Sequence, residues 1–130
     1  MDYGSTITTA LPYDAAVERT RAALAEQGFG ILTEIDVTQT LKAKLGVDME
    51  SYLILGACNP QLAHQALGIE PNIGLLLPCN VVVRRDGDRT LVQALDPQVM
   101  VSLPGLPALQ PVADEASMRL AAALQSVAMS

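Results

Sequence analysis

The sequence has no tryptophan, one phenylalanine (Phe29) and one histidine (His64), and aromatic residues fill only 3% of its 130 positions. RNA-binding sheets and single-strand grooves rely on aromatic stacking platforms, which this chain can hardly supply. Basic residues are also scarce, 8 Lys and Arg against 14 Asp and Glu, giving a formal net charge of −6. A phosphate backbone is held by clusters of Lys and Arg. The densest group here is Arg84, Arg85 and Arg89, but Asp86 and Asp88 are set among them, as in a solvated hairpin tip. Nucleic acid is not an expected partner. No apolar run approaches the roughly 20 residues needed to cross a bilayer. No basic N-terminus leads into an apolar stretch, so neither membrane insertion nor export is expected. Two cysteines without an export signal point to the reducing cytoplasm. The chain also lacks Gly-x-Gly-x-x-Gly, a Walker-type Gly-Lys-Ser/Thr, Gly-x-Ser-x-Gly and His-Glu-x-x-His. Nucleotide-dependent and common hydrolase chemistries therefore have no support.

What the chain does have is aliphatic bulk. Apolar residues make up 50% of it, so the core must be built from Leu, Val, Ile, Ala and Met. At this length the expectation is one domain over residues 1–130, because two would each be near the lower limit for a stable core. The mean hydropathy of +0.30 favours some burial between subunits, and a dimer interface needs roughly 800 Å² from each partner.

The elements follow from periodicity. Residues 5–10 (STITTA) read as a strand. A helix opens at Pro12 and runs to about Gln27, with Tyr13, Val17, Thr20 and Leu24 on one face and Gly28 as its stop. Residues 29–37 alternate Ile31, Thr33, Ile35 and Val37 against Leu32, Glu34 and Asp36, predicting a half-buried strand with carboxylates on its other face. Thr38 is the expected cap of a short helix ended by Gly46. The apolar runs 52–57 and 73–77 read as buried strands. Between them Asn59 caps a helix, Pro60 fits its first position and Gly68 ends it. Residues 80–85 and 90–95 flank Asp86-Gly87-Asp88, a hairpin signal. A proline-rich connector (102–111) leads to a final helix at about 114–128, with Leu120, Ala123, Leu124 and Val127 inward. The predicted order is β-α-β-α-β-α-β-β-β-α, an α+β fold with a mostly antiparallel sheet covered by helices.

Candidate functional residues cluster at strand ends. Cys58 and Cys79 each end an apolar run and precede an asparagine. If they meet, two thiolates and His64 would make a soft metal site for Zn or Cu(I), or the two sulfurs a redox pair. Cys58 also precedes a helix N-terminus, which favours thiolate. Against this, the cysteines are 21 positions apart, far from Cys-x-x-Cys spacing, and buried cysteine commonly serves as a small hydrophobe. His64 has no accompanying motif. Glu34 and Asp36, two apart on one strand, would suit a hard cation or acid–base work, or be the strand's wet face. Asn59 and Asn80 read as structural amides that would orient a small polar ligand if they faced one cavity. No cofactor is identified.

Three segments, GFGILTEIDVTQTLKAKLGVD (28–48), YLILGACNPQLAHQALGIEP (52–71) and IGLLLPCNVVV (73–83), resemble the Domain of Unknown Function 302 family. The resemblance covers most of the chain. It implies a small α+β domain of TATA-binding-protein-like type, able to form homodimers and carrying no established activity. The functional expectation is a homodimeric cytoplasmic binding module with a strand-end pocket near Cys58 and Cys79 for a small ligand or soft metal. The alternatives are a thiol-based redox or sulfur-transfer protein using Cys58, and a structural or interaction protein.

Overall fold

A computed structural model describes residues 3–130. Five strands form one sheet: β1 (Gly4–Thr9), β2 (Gly30–Asp36), β3 (Tyr52–Cys58), β4 (Cys79–Asp86) and β5 (Arg89–Leu95). Their order is β1-β5-β4-β3-β2, and every neighbouring pair is antiparallel. The helices are α1 (Tyr13–Glu26), α2 (Val37–Leu45), α3 (Pro60–Ile69), α4 (Val99–Ser102) and α5 (Gln110–Ala128). This is the expected α+β architecture.

Side chains on one face of the sheet build the main core. Leu53, Leu55 and Ala57 of β3, Cys79, Val81 and Val83 of β4, and Val92 and Ala94 of β5 are buried there. Against them pack Ala16, Val17, Ala23 and Leu24 of α1 and Leu120, Ala123, Leu124 and Val127 of α5. Both helices bury the faces that their 3.6-residue periodicity marks. A second, smaller cluster joins Ala66, Ile73, Met100, Leu109 and Val112. The strand residues between the core positions point the other way. Tyr52, Ile54, Val82, Arg84 and Gln93 remain only half-buried on this open face.

Several boundaries differ from the sequence reading, each for a local reason. Residues 73–77 are not a strand: Pro71–Leu76 form a 3₁₀ helix. Pro71 opens it, and the Glu70 carboxylate accepts from the Asn72 amide at 2.9 Å. A short apolar run carries no periodicity with which to tell the two apart. Helix α3 runs through Gly68 to Ile69, because an interior glycine costs only about 1 kcal/mol and the stronger stop is Pro71. Helix α2 is capped by Asp36, whose Oδ1 accepts from the Gln39 amide at 2.9 Å. Thr38 instead ties the helix to β3: its hydroxyl donates to Glu50 O and accepts from the Tyr52 amide, both at 2.9 Å. Helix α5 begins at Gln110 because Pro111 suits a first turn.

Strand β2 departs most. It is an edge strand with a bulge between Ile31 and Thr33. A bulge inserts one unpaired residue and so flips the alternation beyond it. Ile31 packs against the main core, whereas Ile35, opposite Ile54, lies on the open face and is 49% exposed. The bulge sits beside Gly56, where a Cβ would overlap Thr33 Oγ1 and come within 2.9 Å of Pro78 Cγ.

Candidate functional site

The antiparallel ladder brings the ends of β3 and β4 together, with Ala57 opposite Cys79. Cys58 and Cys79 consequently line one crevice, walled by Phe29 of the α1–β2 connection, Leu62 and Ala66 of α3, Met100, and Val112 of α5. Its volume is about 20 Å³, space for about one water molecule. The walls are apolar, and a water needs polar partners to stay. No disulfide joins the two sulfurs. Burial pushes the Cys79 thiol up from its ordinary 9.0 to about 11, and nearby Cys58 adds to the shift. At neutral pH Cys79 is therefore a protonated, buried thiol, the inert form rather than the nucleophile. Cys58 is half-buried.

The other sequence candidates disperse. Asn59 is buried, and its Oδ1 accepts from the Leu62 amide at 3.2 Å, the capping role expected of it. His64 lies exposed on α3. Among the described residues no three His, Cys, Asp or Glu side chains gather where they could hold a metal ion, so His64 does not join the cysteines as a third ligand. Glu34 is ion-paired to Arg21 of α1, and Asp36 caps α2. Asn80 lies opposite Gly56 and points away from the crevice, so the two asparagines do not face one cavity.

Asn80 instead borders a larger concavity. A trough of about 430 Å³ crosses the open face of the sheet, lined by Tyr3 and Gly4, Tyr52, Asn80, Val82 and Arg84, and Gln93, Ala94 and Leu95. The register sets its polar centre. Tyr52 pairs with Arg84, and Val82 with Gln93, which in turn pairs with Thr6. Arg84 Nε donates to Gln93 Oε1 at 2.9 Å, and Gln93 Nε2 donates to Thr6 Oγ1 at 3.1 Å. This ladder aligns the Gln93 amide and holds the guanidinium across the strands.

In the sequence Arg84 groups with Arg85 and Arg89 around the hairpin tip. Only the latter two belong there: Arg85 donates to Gly87 O and to Thr90 Oγ1, and Arg89 pairs with Asp86 at 2.7 Å. The alternation of Val81 and Val83 against Val82 and Arg84 is the signal that would have sent Arg84 to the open face.

A single antiparallel sheet with helices packed on one face defines an α+β domain with one solvated sheet face. The family model described as domain of unknown function DUF302 matches residues 5–127, and the chain belongs to that family. It is similar in structure to an uncharacterised conserved protein of the same family from Bacillus stearothermophilus, known from a crystal structure. The two are 31% identical with a TM-score of 0.90, over 97% of this chain and 98% of the other. No functionally curated protein matches the chain. Among the described residues no helix is long and apolar enough to cross a membrane.

Proposed function

We propose that the protein is a non-enzymatic binding module of the cytoplasm, working as a homodimer and taking a small ligand on the open face of its sheet. The observation that carries this reading is the contrast between the crevice at the cysteines and the trough on the open face. A hollow of about 420 Å³ beside Ile73, Leu76 and Leu103 matches the trough in volume, but among the described residues the trough is the one of the three that sets a cation in its walls. The crevice beside Cys58 and Cys79 has about 20 Å³, while the trough on the open face has about 430 Å³. Small-molecule sites run from about 300 to 1,000 Å³ and pair apolar walls with a few placed polar groups. The trough fits that description and the crevice does not. The ligand expected near the cysteines is thus reassigned to the opposite face, with Asn80 the one sequence candidate that borders it.

The homodimer is supported by the β2–α2 region. Leu32 of β2 is 66% exposed and Leu45 of α2 is 69% exposed, with Ile35, Val47 and Met49 also outward. None of the nine residues of α2 is buried. β2 is an edge strand, whose unpaired groups invite another chain. Lys42 and Lys44 stand close in sequence to Asp48 and Glu50, so the segment carries both signs and suits an isologous contact with itself. Native mass spectrometry at micromolar concentration should read a dimer. The double variant Leu32→Glu/Leu45→Glu should read a monomer with an unchanged far-ultraviolet circular dichroism spectrum. A wild-type monomer, or a variant that stays dimeric, removes this assignment.

A thiol-based reading keeps one point in its favour, the half-buried position of Cys58 directly before the capped start of α3. It requires Cys58 to alkylate rapidly near neutral pH.

A further inference from the structure

We propose that the trough on the open sheet face is a site for small monocarboxylates, with the Arg84 guanidinium taking the carboxylate and Tyr52 and Tyr3 flanking an apolar or aromatic body. The proposal rests on the open face being the binding surface and names the ligand class for it. Its first support is charge. The protein is acidic overall, and its only two lysines, Lys42 and Lys44, both lie on α2. Yet among the described residues the trough is lined by one cation, Arg84, and by no carboxylate. A guanidinium stays charged throughout the accessible pH range and presents a planar fork that matches a carboxylate in bidentate fashion.

Geometry is the second support. Arg84 spends Nε on Gln93, and Gln93 is itself oriented by Thr6. Arg84 makes no ion pair among the described residues, and its two terminal nitrogens donate to none of them. The outer edge of the fork is therefore held in place and left to a ligand. A single cation suits a monoanion; phosphoryl groups with two or more charges are held by several cationic donors or a helix N-terminus, and the described lining offers one cation and no helix N-terminus. Val82 and Leu95 supply apolar wall, and Tyr52 pairs with Arg84 across the ladder, where an aromatic ring can lie against a flat ligand. The Asn80 amide borders the same space for a second polar contact.

The test is a titration of the full-length, ¹⁵N-labelled protein with benzoate, with benzamide as the neutral isostere and with inorganic phosphate. Benzoate should shift the amide signals of Tyr52, Asn80, Arg84 and Gln93 saturably, with benzamide and phosphate much weaker. Arg84→Gln should weaken benzoate binding about tenfold or more, and Arg84→Lys, which keeps the charge but not the fork, should fall between. Arg84 is part-exposed, so both variants should keep the wild-type spectrum elsewhere. The carboxylate assignment is overturned if phosphate binds more tightly, if Arg84→Gln binds benzoate as well as the wild type, or if benzamide binds equally. Equal benzamide shifts on the open face would still leave that face as a binding surface. If all three probes leave the open-face signals unmoved, both the ligand class and the binding surface are overturned.

Discussion

Gly56 has no room for a side chain. It lies inside β3 where the bulge of β2 swings Thr33 over it, and Pro78 closes the space from the other side. Gly56→Ala must push one of these aside, so a urea unfolding midpoint should drop by an amount equivalent to about 1–3 kcal/mol. Thr33→Ala in the same chain removes the nearer atom and should recover part of the loss. An additive double variant would mean that the two residues do not compete for the same space. Cys79 supports a prediction of a different kind. Its thiol is held up to about 11 in the folded state against an ordinary 9.0. Between those values the unfolded chain has lost the proton and the folded one has kept it, so the unfolded state binds fewer protons. Stability contributed by this group is complete below about pH 9 and is lost as pH rises towards 11. Cys79→Ala should flatten the stability profile in that window. Iodoacetamide at neutral pH should label Cys58 ahead of Cys79, and Cys79 should react only on unfolding.

At the scale of elements, α2 is the piece held most loosely. It buries none of its residues and depends on its cap at Asp36 and on the Thr38 tie to β3. Asp36→Ala removes a cap worth about 1 kcal/mol. Amide exchange in residues 37–45 should accelerate several-fold while the slowest-exchanging amides of β3 and β4 stay unchanged, since weakly packed elements open on their own. Uniform acceleration across the sheet would show instead that α2 opens only with the whole fold. The same helix marks how far the sequence could be read. Its existence and its end at Gly46 are legible from Leu41 and Leu45 one turn apart and a following glycine. Its cap is not, because Asp36 and Thr38 are both good capping residues and only the path of β2 decides which one reaches the free amides. The β4–β5 hairpin is legible because Asp-Gly chemistry is local, and Asp86 does pair with Arg89 across Gly87-Asp88. The run 73–77 and the far half of β2 are not, since a bulge or a 3₁₀ turn depends on what lies across the chain rather than on the spacing within it.

Over the whole molecule the same limit applies to the candidate site. The paired Cys-Asn dipeptides suggest that both cysteines lie at strand ends, and the ladder does bring them to one crevice, although Cys79 opens β4 rather than closing the strand expected over 73–77. What the sequence does not carry is the volume left between α3, α5 and the strand ends, nor the assignment of Tyr52, Arg84 and Gln93 to a shared face. Those depend on strand order, and strand order depends on non-local pairing. The difference between the faces can be measured directly. Leu55 and Ile54 are neighbours on β3, Leu55 fully buried under α1 and α5 and Ile54 half-buried on the open face. Leu55→Ala should cost about 2–5 kcal/mol, because the cavity it leaves is enclosed by packed side chains. Ile54→Ala should cost about 1 kcal/mol or less, since solvent can fill what it vacates. Equal losses in urea unfolding would mean that the open face is covered in solution, by a second copy or by a bound ligand. Dilution to the monomer would then separate those two cases, because only cover by a second copy disappears with the dimer.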